Sequence, residues 1–245
     1  MPTPFGRLAK ASNVKTVVGR TGSILPSATH NIGHPVESAM TGTELREILK
    51  SSEFKQGLEE MSSYLASITQ ERPIVYLLAK CLWKRGLKFT LEDDHSDLFI
   101  NEKRVEFKFN FDRCQKDLIK ELDKHGDVLN AAIFDAAKGN FGVMKRIYKD
   151  VCIKKPQIFV WIISSRDLSN VPKQDRDRIC VGKEQCKYNA NHPYNPDEGR
   201  LRPADLFLEK LRDIRRFSLL KHAIQVNGSL FPSTYHFRIC DFADG

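Results

Sequence analysis

The chain has 245 residues, of which 41% are hydrophobic and 29% are charged, a balance typical of a globular protein and unlike that of a disordered or fibrous chain. Its formal net charge is +8. No apolar run approaches the roughly 18 residues of a membrane helix, and the N-terminal residues lack the apolar core of a secretory signal. We therefore expect a cytoplasmic protein without a membrane span.

The first 42 residues are rich in Ser, Thr, Gly and Asn, which predicts a loosely structured arm. Residues 43–245 are expected to form a single domain. At its start, Thr43 is the predicted cap of a first helix, TELREILK, and helical spacing of apolar residues over 53–68 predicts a second helix.

A third helix and a strand meander are predicted next. The segment ERPIVYLLAKCLWKRG has an apolar helical face, with Pro73 in its first turn and Gly86 as its stop. Short strands are then predicted over 87–91, 97–100 and 104–109, separated by polar turns.

The rest of the chain adds helices, a long loop and two strands. Residues 113–126 have helical spacing, and 128–137 either continue that helix or form another. The apolar run 158–163 predicts a strand in the middle of the sheet. Residues 164–200 predict a long loop, 203–224 an amphipathic helix, and 234–242 a final strand.

The segment RVEFKF contains the residues that point to chemistry. In a strand, side chains alternate between faces, so Val105, Phe107 and Phe109 share one face while Glu106 and Lys108 share the other. Asp97 opens the preceding strand, and a hairpin would return it beside Glu106. Two carboxylates and a lysine are therefore expected to converge.

Such a group suits phosphodiester hydrolysis. Mg²⁺ typically uses one or two protein carboxylates and keeps places for water and a phosphate, so Asp97 and Glu106 are the candidate metal ligands. A bound metal activates water and neutralises phosphate charge, while Lys108 orients the nucleophile or stabilises the developing anion.

Asp97 and the tripeptide Glu106-Phe107-Lys108 resemble the motif of the PD-(D/E)XK nuclease superfamily, which includes many restriction endonucleases and repair nucleases. The resemblance covers about residues 71–163, the expected catalytic core. It implies an α/β fold like that of restriction endonucleases, with a mixed central sheet flanked by helices. It also adds Glu71, near the start of the third helix, as a candidate metal or water ligand.

Two alternatives to this interpretation stay open. Residue 96 is Ser where the motif's name has Pro, and Asp93 and Asp94 compete with Asp97 for the role of the first acid, although Asp97 is preferred because it begins an apolar strand. A surface hairpin in which Glu106 pairs with Lys108 or Arg104 would have the same sequence, and such a pair is worth only about 0–1 kcal/mol.

The basic residues are concentrated in the C-terminal part, where residues 140–245 hold 19 Lys and Arg against 12 Asp and Glu. Such an excess favours a polyanionic partner. Over residues 164–238, the candidate contacts to a DNA backbone lie in the long loop and around the amphipathic helix: Arg176, Arg178, Lys183, Lys187, Arg200, Arg202, Arg212, Arg215 and Arg216.

The six cysteines are too sparse for a disulfide scaffold and are expected to be thiols. Only Cys180, Cys186 and His192 are clustered, and their spacing lacks the close cysteine pair and fourth ligand of a typical zinc site. Either zinc or a plain loop is compatible with this spacing.

The resulting hypothesis is a Mg²⁺-dependent endonuclease that cuts double-stranded DNA at a specific site, resembling type II restriction enzymes and acting as a homodimer. A repair, recombination or mobile-element nuclease of the same superfamily is the first alternative. A nucleic-acid-binding protein without catalysis is the second.

Overall fold

The computed structural model of the chain describes residues 40–64, 71–93, 96–112, 114–125, 142–167, 201–228 and 231–242. All of these belong to one unit, residues 37–245. Nearly all of the predicted arm, residues 1–42, lies outside the described part. The predicted helix over 128–137 and most of the predicted loop over 164–200 also lie outside it.

Three helices open the described chain: α1 at Gly42–Leu49, α2 at Ser52–Tyr64 and α3 at Arg72–Lys84. The predicted cap of α1 is wrong by two residues. Thr41 forms a capping box with Glu44, because its hydroxyl accepts from the Glu44 amide while the Glu44 carboxylate accepts from the Thr41 amide. Gly42 is already helical.

The predicted meander is confirmed as β1 at Phe89–Asp93, β2 at Ser96–Ile100 and β3 at Lys103–Phe111. Helix α4 follows at Cys114–His125, and α5 at Val143–Tyr148 runs directly into a π-helical turn at Lys149–Ile153. Strand β4, at Ile158–Arg166, is buried along its whole length. The apolar run predicts residues 158–163 of it, whereas residues 164–166, predicted as the start of the loop, extend the strand through their pairing with β6.

The predicted helix over residues 203–224 is wrong in its second half. Helix α6 occupies Arg202–Ile214 and ends where Arg215 adopts an extended conformation. Strand β5 follows at Ser218–Asn227 and pairs along its length with β6 at Pro232–Asp241. Pairing with β6 outweighs the local helical spacing, since β5 also alternates exposed polar positions with buried Ile224 and Val226.

The six strands form one mixed sheet in the order β1-β2-β3-β4-β6-β5. Only β3 and β4 are parallel among these pairs, and the other neighbours are antiparallel. Helices α1 to α3 pack on one face, over residues such as Phe107 and Phe237. Helices α4 to α6 pack on the other, over Trp161 and its neighbours. The fold is therefore mixed α/β, with a sheet between two helical layers.

Among the described residues, no helix has the length and apolar character needed to cross a membrane. The four cysteines that the structure describes, Cys81, Cys114, Cys152 and Cys240, are free thiols as predicted.

A buried ion pair fastens α6 to the sheet. The Asp205 carboxylate accepts from Nε of Arg238 at 2.7 Å and from Nζ of Lys221 at 2.6 Å. The side chain of Arg238 is 1% exposed. A guanidinium so far from water needs this carboxylate, because an isolated buried charge is strongly unfavourable.

We expect Asp205→Ala to lower the free energy of unfolding by about 3–5 kcal/mol, because it leaves Arg238 charged, buried and without its carboxylate. Asp213→Ala, at an exposed position of the same helix, is the matched control and should change it by less than about 0.5 kcal/mol. Urea denaturation of the three proteins measures the difference. Equal stabilities of the two variants would contradict this account of α6 docking.

Candidate functional site

The alternation predicted for β3 places its charged residues on one side. Val105 and Phe107 are buried in the core beneath α1 to α3. Glu106 and Lys108 therefore face the layer that contains α5 and the π-helical turn. The side chain of Glu106 is 5% exposed and that of Lys108 is 26% exposed, so the carboxylate lies deep and the ammonium lies nearer the surface.

Asp97 reaches the same strand through the hairpin. Leu98 pairs with Val105, and extending this register by one residue puts Asp97 opposite Glu106. The Asp97 carboxylate accepts a hydrogen bond of 2.7 Å from the backbone N–H of Phe107. Asp94 lies outside the described residues, and only the backbone of Asp93, the last residue of β1, is described.

Glu71 makes the same kind of contact one step along the strand. It immediately precedes α3, and its carboxylate accepts from the backbone N–H of Phe109 at 3.1 Å. Alternate amides of a strand lie about 7 Å apart. The structure thus lines up the carboxylates of Asp97 and Glu71 along the edge of β3, beside Glu106 and Lys108.

Two further charged residues, Asp150 and Lys154, complete the cluster and were not predicted from the sequence. The π-helical turn carries Asp150, which is 5% exposed, and ends just before Lys154. The Lys154 ammonium donates to the Glu106 carboxylate and lies 3.1 Å from Asp150. Nζ of Lys108 lies 3.7 Å from the other oxygen of Asp150.

No local motif marks Asp150 and Lys154 in the sequence. Their i,i+4 spacing is a weak signal by itself, and their partners lie more than 40 residues earlier, on β3. π-Helical turns are rare and often occur at functional sites, but their position follows from packing that the sequence does not display. From here on, Glu71, Asp97, Glu106, Lys108, Asp150 and Lys154 are called the β3 cluster.

Burial dominates the electrostatics of the β3 cluster. It raises the pKa of Glu106 from 4.5 to about 7, even though the hydrogen bond from Lys154 and the charge of that ammonium act in the opposite direction. The negative charges of Asp97 and Asp150 reinforce the upward shift. Burial likewise raises the pKa of Asp97 and that of Glu71 above their ordinary values, against the hydrogen bond from Phe107 and the charge of Lys108 respectively. The cluster is thus short of positive charge.

Lys154 responds in the complementary way. Burial alone would lower the pKa of its ammonium, but the hydrogen bond to Glu106 and the charge of Asp150 together raise it. One buried oxygen of Asp150, Oδ2, has no hydrogen-bond partner among the described residues. Lys154 therefore supplies part, but not all, of the positive charge that these carboxylates require.

The carboxylate oxygens of the β3 cluster are the hard donors that Mg²⁺ prefers. Within the described ranges, no group of three or more His, Cys, Asp or Glu side chains is close enough to hold a metal ion. A Mg²⁺ ion commonly uses one or two protein carboxylates and keeps several waters. Asp97 and Glu106, with the Asp150 oxygen that accepts no hydrogen bond nearby, are the residues here that could hold one.

Four of the nine predicted DNA contacts lie in the part of the chain that the structure describes. Arg202, Arg212 and Arg216 are exposed on α6 or just after it. The guanidinium of Arg215 instead donates to the carbonyl oxygens of Val151 at 2.6 Å and Pro156 at 2.7 Å, and stacks on Phe242. Arg215 thus holds the end of the π-helical turn in place. The other five predicted contacts lie outside the described residues: Arg176, Arg178, Lys183, Lys187 and Arg200.

The candidate zinc ligands Cys180, Cys186 and His192 also lie outside the described residues.

Comparison with models of known protein families, with curated protein sequences and with solved structures returned no match. The geometry of the β3 cluster is therefore the basis for assigning a function.

The raised pKa of Glu106 predicts a pH-dependent stability. In the unfolded chain this carboxyl ionises near 4.5, whereas in the folded protein it does so at about 7. Its protonated form therefore favours folding below pH 4.5, and this contribution is lost as the pH rises through 7. In EDTA, Glu106→Gln should match the wild type near pH 4.5 and be more stable at pH 8, by up to about 3 kcal/mol.

Thermal or urea unfolding across this pH range measures the effect. Glu209→Gln, at an exposed position of α6, is the control and should follow the wild-type pH profile. A Glu106→Gln protein that is less stable than the wild type at pH 8 would show instead that the Lys154 contact outweighs the cost of burying the charge.

Proposed function

We propose that this chain is a Mg²⁺-dependent DNA endonuclease with a restriction-endonuclease-like core of the PD-(D/E)XK type. The observation that supports it most is the placement of two carboxylates, Asp97 and Glu71, on successive outward amides of the strand that carries Glu106-Phe107-Lys108. Chance occurrence of the tripeptide would not bring an acid from β2 and another from the start of α3 to the same strand edge.

The order of elements adds support. Helix α3, the three-strand meander, the helices α4 and α5 with the π-helical turn, and the buried strand β4, which is parallel to β3, follow one another in the described part of residues 72–166. This is the arrangement that the resemblance implies for the superfamily's core.

In the proposed reaction Asp97 and Glu106 hold the cation, whose chemistry is to activate a water and to neutralise charge on the scissile phosphate. The Phe107 amide fixes the orientation of Asp97. Glu71, held by the Phe109 amide, is placed to bind the metal or a water. Lys108, partly exposed beside these acids, orients the attacking water or stabilises the developing negative charge.

The substrate is proposed to be double-stranded DNA, which the basic C-terminal part of the chain complements in charge. Two copies of the chain, each with one such site, would cut both strands. A restriction enzyme would give discrete fragments from DNA of known sequence, whereas a repair, recombination or mobile-element nuclease need not.

The contact between Lys154 and Glu106 favours a different candidate. If this ion pair persists, the carboxylate is not available to a cation, and the chain would be a nucleic-acid-binding protein without catalysis. Cleavage and metal-binding measurements separate the two candidates.

We expect the wild-type protein to cleave plasmid DNA in the presence of Mg²⁺, and we expect this cleavage to stop when EDTA is added. Asp97→Ala and Lys108→Ala should each slow cleavage by at least about a hundredfold, because each removes a group that acts on the metal or the transition state. Asp213→Ala and Lys120→Ala, at exposed positions outside the β3 cluster, are matched controls and should cleave like the wild type. No cleavage by the wild type, or equal cleavage by all five proteins, would contradict the proposal.

Removal of the Lys154 ammonium should strengthen metal binding by the β3 cluster. We expect Lys154→Met to bind Mn²⁺ about tenfold more tightly than the wild type in isothermal titration calorimetry, because the ammonium competes with a cation for Glu106 and Asp150. Lys149→Met, exposed on the same turn, should leave the affinity unchanged. Weaker binding by Lys154→Met would mean that this lysine assists the site rather than competing for it.

A further inference from the structure

The outward face of α3 carries large aromatic side chains in contact with solvent. Arg72, Tyr76, Lys80 and Trp83 are exposed and follow one another at spacings of four, four and three residues, which places them on one side of the helix. Trp83 is 71% exposed and Tyr76 is 48% exposed. These four residues are called the α3 face.

Exposed tryptophan is uncommon on a surface that meets only water, because its large apolar ring gains from burial. The opposite side of α3 is a normal core face, with residues such as Leu78 and Leu82 fully buried. The helix therefore has its packing partner on one side and presents a second, partly apolar stripe to solvent.

The charged residues of α3 itself and of the turn that follows it are all basic. From Arg72 to Leu91 the chain contains no Asp or Glu, and its basic residues are Arg72, Lys80, Lys84, Arg85 and Lys88. Lys84 is paired with Glu53 at 2.6 Å across the contact between α2 and α3. Helix α3 thus contributes only positive charge beside its aromatic rings, which favours a polyanion as the ligand.

The α3 face begins at the β3 cluster. Glu71, whose carboxylate binds the Phe109 amide, directly precedes Arg72. At 1.5 Å per residue the face then extends about 17 Å along the helix, from Arg72 to Trp83. Arg72 is therefore the end of the α3 face that lies next to the cluster.

Aromatic rings interleaved with basic residues suit an unpaired strand better than a duplex. Aromatic side chains stack on bases whose faces are open, and basic side chains follow the phosphates. In a duplex the base faces are covered by their neighbours. Tyr76 and Trp83 are about 10 Å apart along the helix axis, which equals roughly three stacked bases at 3.4 Å each.

We propose that the α3 face binds a single-stranded segment of DNA adjoining the β3 cluster, with bases stacked on Trp83 and Tyr76 and with phosphates near Arg72 and Lys80. This assignment rests on the proposed nuclease function, and it adds that the substrate has an unpaired stretch next to the site. The chain offers a direct reporter of such binding, because its two tryptophans differ sharply: Trp83 is largely exposed, whereas Trp161 is fully buried.

The test is a fluorescence titration of the full chain in EDTA with a 15-nucleotide oligo-dT strand and, separately, with a 15-base-pair duplex. The single strand should quench the long-wavelength emission of Trp83, and Trp83→Phe should abolish that quenching. Trp83→Ala and Tyr76→Ala should each weaken binding of the single strand by about tenfold, with the affinity of every variant measured by the fluorescence anisotropy of a dye-labelled strand. Ile119→Ala and Lys120→Ala, exposed on α4, are controls that should bind like the wild type.

Several outcomes would overturn the assignment. These are an unquenched Trp83 at saturating single strand, undiminished binding by Trp83→Ala, or binding of the duplex alone. Because EDTA prevents metal-dependent cleavage, this result does not depend on catalysis. Cleavage of plasmid without quenching of Trp83 would therefore reject the α3 face while keeping the nuclease, and quenching without cleavage would reject the nuclease while keeping a single-strand surface.

Discussion

The arrangement of the candidate site depends on how two amides at the edge of β3 are satisfied. The strand runs on to Phe111, beyond Val105, the last residue paired with β2. The N–H groups of Phe107 and Phe109 then take side-chain carboxylates as acceptors, from Asp97 and Glu71. Because a buried amide without an acceptor is costly, this bonding fixes two acids in place and ties β2 and α3 to one strand.

Holding Asp97 and Glu71 next to Glu106 brings several carboxylates together in a partly buried place, which is electrostatically unfavourable. The neighbouring lysines offset this repulsion only in part. Glu106 is buried between those two acids and the π-helical turn, and burial raises its pKa to about 7 despite the nearby Lys154. Groups held in an unfavourable charge state are characteristic of functional sites, where a ligand supplies the missing charge. A divalent cation on Asp97 and Glu106 would do so, and Lys154 supplies charge to Glu106 and Asp150 in the structure described.

Much of the fold was predictable because its signals are local. The periodicity of RVEFKF predicts which residues of β3 face the core, and the apolar run at 158–163 predicts the buried central strand. The predicted helix over 203–224 failed beyond Ile214, since pairing with β6 decides the conformation of β5 and that pairing is not local. The capping residue of α1 was missed by two positions for a smaller reason: Thr41 and Thr43 are chemically alike, and only Thr41 stands three residues before Glu44.

The candidate site likewise contains residues that local sequence signals predict and residues that only long-range packing brings together. Glu106 and Lys108 follow from strand alternation, and Asp97 follows from the hairpin. Asp150 and Lys154 could not be predicted, since they approach β3 only through the packing of the π-helical turn, which Arg215 stabilises through two carbonyl oxygens. Arg215 also shows why composition alone misleads: its guanidinium looked suited to a phosphate but serves the fold.

The proposal that Asp97 and Glu106 hold a divalent cation is tested most directly by a crystal structure of the protein grown with Mn²⁺. We expect an anomalous-scattering peak about 2.0–2.3 Å from oxygens of both carboxylates, with the Lys154 ammonium displaced from Glu106. Ordered density for Lys154 still bound to Glu106, with no peak beside Asp97 at saturating Mn²⁺, would contradict it.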